Sequence, residues 1–113
     1  MRYQMKLQSS PFGQIKQSIK TIEIRLNDEK RQNLKVGDEI EFSSMDDPRQ
    51  KIRTEVLELL HFSTFKKLFE AFSPEMYGGE NQSEYEKMYK YYSKEDEKKY
   101  GVLGIKLHYL GEV

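Results

Sequence analysis

The chain has no cysteine among its 113 residues, which excludes a disulfide framework, a thiol nucleophile and a thiolate metal site. It also lacks any excess of one charge. Nineteen lysines and arginines balance nineteen aspartates and glutamates, so nothing draws the whole molecule toward nucleic acid, and any such attraction must come from a local patch. Histidine occurs only at His61 and His108. Neither has a second ligand nearby at metal spacing, so no metal and no cofactor is expected. No long apolar run is present. The N-terminal stretch Arg2-Tyr3-Gln4-Met5-Lys6 lacks a signal-peptide core and nothing is long enough to span a bilayer, so the expected location is cytoplasmic, away from membranes. Internal repeats and low-complexity linkers are missing too, and one domain over residues 1–113 is expected, near the usual domain size of roughly 100–150 residues.

What is present is charge, at 34% of residues, and one ordered way of using it. From Thr21 to Leu26 the chain alternates strictly, with Ile22, Ile24 and Leu26 on one side and Thr21, Glu23 and Arg25 on the other. A period of two marks a half-buried strand, because successive side chains of an extended chain point to opposite faces. The polar face sets a hydroxyl, a carboxylate and a guanidinium in one row. Next-but-one neighbours lie roughly 6.6 Å apart along a strand, so Glu23 can fix the Arg25 fork while both face a ligand. Lys20 adds a second cation at the start of the strand.

Ser18-x-Lys20-x-x-Glu23-x-Arg25 resembles the G-x-K-x-x-E-x-R signature of the ASCH domain, a small module of the PUA-like superfamily. Ser18 stands where that family usually has glycine, so the turn there must do without glycine's freedom at positive φ or find it elsewhere. Two further stretches share the resemblance, residues 34–42 and residues 100–107, so it spans nearly the whole chain. The resemblance implies a PUA-like, α+β fold: a small curved, β-barrel-like mixed sheet flanked by short helices.

The remaining pattern agrees with that class. Residues 2–8 alternate as a first strand. Ser10 is placed to cap a short helix with Pro11 in its first turn, and Phe12, Ile15 and Ile19 form its apolar side. The helix feeds the signature strand, which brings Lys16 and Lys20 toward Arg25 as a basic mouth. Residues 27–33 read as a loop, 34–38 as a turn, 39–42 as a strand and 43–50 as a hairpin-like loop. Residues 52–62 form a long strand of ambiguous alternation, which a bulge that switches the inward register would resolve. Phe65, Leu68, Phe69 and Phe72 share one helical face. Gly78-Gly79 opens a flexible loop that lacks the flanking strand and lysine of a phosphate-cradling one. Ser83 with Glu86 fits a capping box, Ser93 caps another short helix, and a last strand runs over 102–110.

The aromatic stripes match core packing. Tyr91, off the stripe, and Tyr100, at a helix–strand junction, are the tyrosines placed to reach a ligand. The family resemblance implies RNA or nucleotide binding, with Lys16, Lys20, Glu23, Arg25 and Tyr100 as the binding set. Chemically, Arg25 can fork onto phosphate or stack on a base, Lys20 can meet phosphate as a point charge, and Glu23 can accept from an amine or orient Arg25. Two other classes stay open. One branch similar to this family hydrolyses acetylated cytidine and some members are described as ribonucleases, which makes Lys20, Thr21 and Glu23 the catalytic candidates. The family's coactivator settings imply a protein-interaction module instead, with the protein partner and oligomeric state left open.

Overall fold

A computed structural model describes residues 2–113. Five strands, β1 (Arg2–Leu7), β2 (Ile22–Leu26), β3 (Glu39–Ser44), β4 (Lys51–Phe62) and β5 (Val102–Glu112), make one mixed sheet in the order β1-β3-β4-β5-β2. β1 runs parallel to β3, and every other pairing is antiparallel. The sheet curls into a half-barrel, the curved α+β architecture expected from the sequence. Four short helices accompany it: α1 (Ser9–Lys16), α2 (Phe65–Ala71), α3 (Pro74–Tyr77) and α4 (Lys94–Tyr100), with a 3-10 helix over Gln82–Lys90. Among the described residues no helix is long and apolar enough to cross a membrane.

The curl follows from the longest strands. The β4–β5 register shifts between Arg53 and Thr54 and again between Val56 and Glu58. Ile52, Thr54 and Val56 are buried on the concave side, whereas beyond the second shift Leu59 packs there. That switch explains the ambiguous alternation, because an extra residue turns the inward set from even to odd. The concave side holds Phe42, Ile52, Leu103 and Ile105, plugged by Phe12 and Ile15 of α1. A second cluster fills the space between β2 and the helices, with Ile24 and Leu26 against Phe65, Leu68, Phe69 and Tyr77. Glu97 of α4 knits that layer: its carboxylate accepts from the Phe65 backbone N–H and from the Tyr89 hydroxyl. Burial and this bond push the Tyr89 phenol up to about 12.

Three local expectations need correction. Ile19 lies beyond the end of α1 and is exposed, so it is not part of the helix's apolar side. Ser10 lies inside α1, whose N-cap is Gln8 with no side-chain cap bond. The capping box at Ser83 and Glu86 does not form, since Ser83 donates to Asn81 and the segment winds as a 3-10 helix. Ser93 does cap α4, accepting from the Asp96 N–H.

Ser18 ends α1 in a Schellman motif. The Ser18 N–H bonds Ile15 O and the Ile19 N–H bonds Gln14 O, at 2.9 Å each, with Ser18 itself at φ +61°. This is the left-handed position that glycine normally fills after a helix, and here serine takes it. A residue with a Cβ is strained there by about 1–2 kcal/mol, partly offset by the unfolded-state freedom glycine would add. Ser18→Gly is therefore expected to stabilise the fold by about 0.5–1 kcal/mol. Thermal unfolding checks this, and a lower Tm would mean that the serine side chain contributes more than its strain costs.

Candidate functional site

The Schellman turn delivers Lys20 directly onto the signature strand. Its ammonium lies 3.0 Å from Glu23 Oε1 and donates to the Tyr77 carbonyl at 3.1 Å. The other carboxylate oxygen, Glu23 Oε2, accepts from Arg25 Nε and Nη2, both at 2.8 Å. Arg25 Nη2 then donates to the Lys6 carbonyl at 3.1 Å. That last bond spans an opening, because β1 and β2 are the two edges of the sheet and no backbone ladder joins them.

The polar row is not a wet face. Glu23 is 4% exposed and Lys20 7%, and in the β2–β5 register Glu23 sits opposite Ile105 and Arg25 opposite Leu103. These partners belong to the concave core. β2 is thus buried on both sides, with charge on one. Burial alone would raise the Glu23 carboxyl, but the charges of Lys20 and Arg25, and the hydrogen bonds they donate, hold it below the usual glutamate range. Burial likewise works against the Arg25 guanidinium, yet Glu23 and Tyr92 keep it more firmly protonated than a free arginine.

Above this cluster lies a cavity of about 530 Å³. Lys20, Glu23 and Arg25 form its floor; Lys6, Leu7 and Gln8 of the β1 end form one side, beside Met45. Tyr77, Gly78 and Gly79 make a second side, and Lys87, Met88, Tyr91 and Tyr92 a third. Gly78 is required where it stands. At φ +83° its missing Cβ would come within 2.6 Å of Gln14 Oε1 and 3.2 Å of Lys20 Cδ, so the turn presses flat against the lysine. The Tyr77 hydroxyl is buried without a hydrogen-bond partner, and burial, then the Glu84 charge, raises its phenol above the usual value.

The structure brings Lys20, Glu23 and Arg25 together, with Tyr91 at the mouth. It places three other sequence candidates elsewhere. Lys16 pairs with Glu112 and borders a smaller hollow with Arg49 and Lys51. Tyr100 donates to Glu29 under the Lys99 ammonium. Thr21 faces a small pocket with Ser18, His108 and Tyr109. Among the described residues no group of three or more His, Cys, Asp or Glu could hold a metal ion. Tyr77, Tyr92, Lys6 and Lys87 were not singled out from sequence. Tyr92 belongs to an apolar helical stripe, and Tyr77 is held at the site by contacts distant in sequence, its carbonyl accepting from Lys20 and its ring packing on Phe69.

Two outcomes follow from this geometry. Glu23→Gln leaves two cations around an uncharged amide and is expected to cost about 3 kcal/mol at neutral pH. A carboxyl held low in the folded state stabilises fully above the ordinary glutamate value of 4.5 and loses that contribution as pH falls through the lowered value. The gap in Tm between the wild type and Glu23→Gln should therefore narrow on titration from about pH 7 to about pH 3; a gap independent of pH would show that the carboxylate charge is not what stabilises. Tyr77→Phe removes a buried hydroxyl with no partner and is expected to stabilise the free protein by about 1 kcal/mol, where a loss would reveal a partner for it.

Comparison with known proteins agrees with this architecture. The ASCH domain family matches residues 5–110. The crystal structure of the hypothetical protein PH0355, from Pyrococcus, aligns at TM-score 0.86 and 33% identity over 97% of this chain and 100% of that one. The solution structure of protein PF0455 from Pyrococcus furiosus aligns at TM-score 0.74 and 31% identity, over 97% and 98%. No curated protein matches. With the family covering nearly all of the chain and the half-barrel shared with both solved structures, this chain belongs to the ASCH domain family.

Proposed function

We propose that this protein binds RNA or a nucleotide in the cleft at the β1–β2 opening. The observation that carries the reading is the pair of cations, Lys20 and Arg25, gathered on one carboxylate at the floor of a cavity walled by Tyr77 and Tyr92. The whole chain has no net charge, yet four cations and two carboxylates border this cavity. Its volume falls within the ~300–1,000 Å³ of small-ligand sites, room for one nucleotide-sized group. Tyrosine walls suit a flat base, and a guanidinium suits phosphate oxygens or a base edge. Glu23 has both oxygens committed to Lys20 and Arg25, so its part is to orient the cations. A hydrolytic role gains less support. None of the cavity residues is serine, threonine, histidine or aspartate, and Thr21 faces another hollow.

Lys20→Ala and Arg25→Ala test the floor, with the fold of each checked because either leaves Glu23 short of a partner. Lys6→Ala combined with Lys87→Ala tests the exposed cations without touching the buried cluster. Binding of a mixed-sequence single-stranded RNA, followed by fluorescence anisotropy over a salt series, is expected to weaken in all three variants. The double variant should lower the slope of log affinity against log salt by about 1.4, roughly 0.7 for each lysine on a single strand. Equal affinities and slopes in wild type and every folded variant would overturn the proposal.

A further inference from the structure

The mouth of the cleft is built differently from its floor. Tyr91 is 64% exposed and Met45 58%, and both border the cavity. They flank the end of β1: the Met45 N–H bonds the Leu7 carbonyl at 2.8 Å, and the Tyr91 hydroxyl accepts from Gln8 Nε2 at 3.4 Å. Tyr91 does nothing for the core. Its neighbours Met88, Tyr89 and Tyr92 pack onto the helical cluster and it does not. Among the described residues, one long, weak hydrogen bond is the side-chain bond that orients a large ring left open to water. Exposed Lys6 and Lys87 share the same rim.

Resting on the nucleotide-binding reading above, we infer that the ligand is a strand of single-stranded RNA that occupies the site with two adjacent nucleotides, one inside the cavity and its neighbour stacked on Tyr91. The cavity has room for one nucleotide-sized group and opens to solvent, so a strand must leave by the mouth. There the next base meets an aromatic face, which stacks on any base. The rim lysines stand where the continuing phosphates would pass, so the charges are complementary to a polyanion rather than to a lone monophosphate already satisfied at the floor. A free nucleotide would leave the exposed ring unstacked and Lys6 without a phosphate, with Lys87 held only by Glu84 at 3.7 Å.

The test compares two probes on the same protein, a fluorescein-labelled RNA heptamer of randomised sequence and the four ribonucleoside 5′-monophosphates. The heptamer is expected to bind at least about tenfold more tightly than any monophosphate. Tyr91→Ala should cut that ratio by about tenfold, whereas Tyr91→Phe, which keeps the ring and loses only the bond to Gln8, should preserve it. A heptamer bound no more tightly than the monophosphates would overturn the inference while leaving nucleotide binding intact. So would a ratio unmoved by Tyr91→Ala. A wild-type dimer that Tyr91→Ala converts to monomer would assign the rim to a second copy of the chain and overturn it as well. If neither probe binds the wild type, the nucleotide-binding reading falls together with this one.

Discussion

The Glu23 carboxylate is the constraint that the rest of the site obeys. A buried charge is tolerated only when it is paired and hydrogen-bonded, and Glu23 meets that condition by giving one oxygen to Lys20 and the other to Arg25. Each cation carries the connection onward to a different part of the molecule. Lys20 reaches the carbonyl of Tyr77 at the end of α3, and Arg25 reaches the carbonyl of Lys6 in β1. One carboxylate thereby links the sheet's two edges to the helical layer. Removing a single member strands the others, since breaking a buried ion pair leaves an uncompensated charge.

This linkage stands in for what the sheet topology leaves undone. With β1 and β2 at opposite ends of the strand order, the half-barrel has two free edges facing each other. Closing them with a backbone ladder would fill the opening and erase the cavity. Side-chain bonds hold the edges in register at one point and leave the space beside it open. Apolar residues of similar volume would hold the same region at equal or greater stability, but they would present no cation to a ligand. The ionic cluster is therefore better understood as a way to keep charge fixed in place than as a source of stability.

Much of this was legible in the sequence where the signal was local. The alternation from Thr21 to Leu26 located β2, and the confused pattern after Ile52 announced the bulges of β4, because both depend on near neighbours in the chain. What escaped was set by distant contacts. A period of two cannot say which way a sheet will curl, so the alternation marked the polar face of β2 without showing that it lies buried beside Leu103 and Ile105 of β5. Lys16 lies four residues from Lys20 yet turns to Glu112 on the last strand. Gly78 looked like loop punctuation, while its real role is to let the chain press against Gln14 and Lys20. Ser83 and Glu86 had the spacing of a capping box, but Asn81 captured the serine hydroxyl and the segment wound more tightly.

The balance of charge sets the scale on which the cleft can act. A molecule with formal net charge zero has little long-range field of one sign, and at physiological salt the attraction of its rim cations fades over about 8 Å. An approaching anion gains little until it is nearly in contact. On the proposed nucleotide-binding reading, recognition is then decided inside that distance, by the Arg25 guanidinium, the Lys20 ammonium and the aromatic faces. Those groups are useful only if they do not have to be ordered when the ligand arrives, because immobilising a long side chain costs roughly 0.5–1.5 kcal/mol. Lys20 and Arg25 are already immobilised, by Glu23 and by the carbonyls of Tyr77 and Lys6. On that reading, the pairing of three buried charges during folding is what leaves the two cations rigid when a ligand arrives.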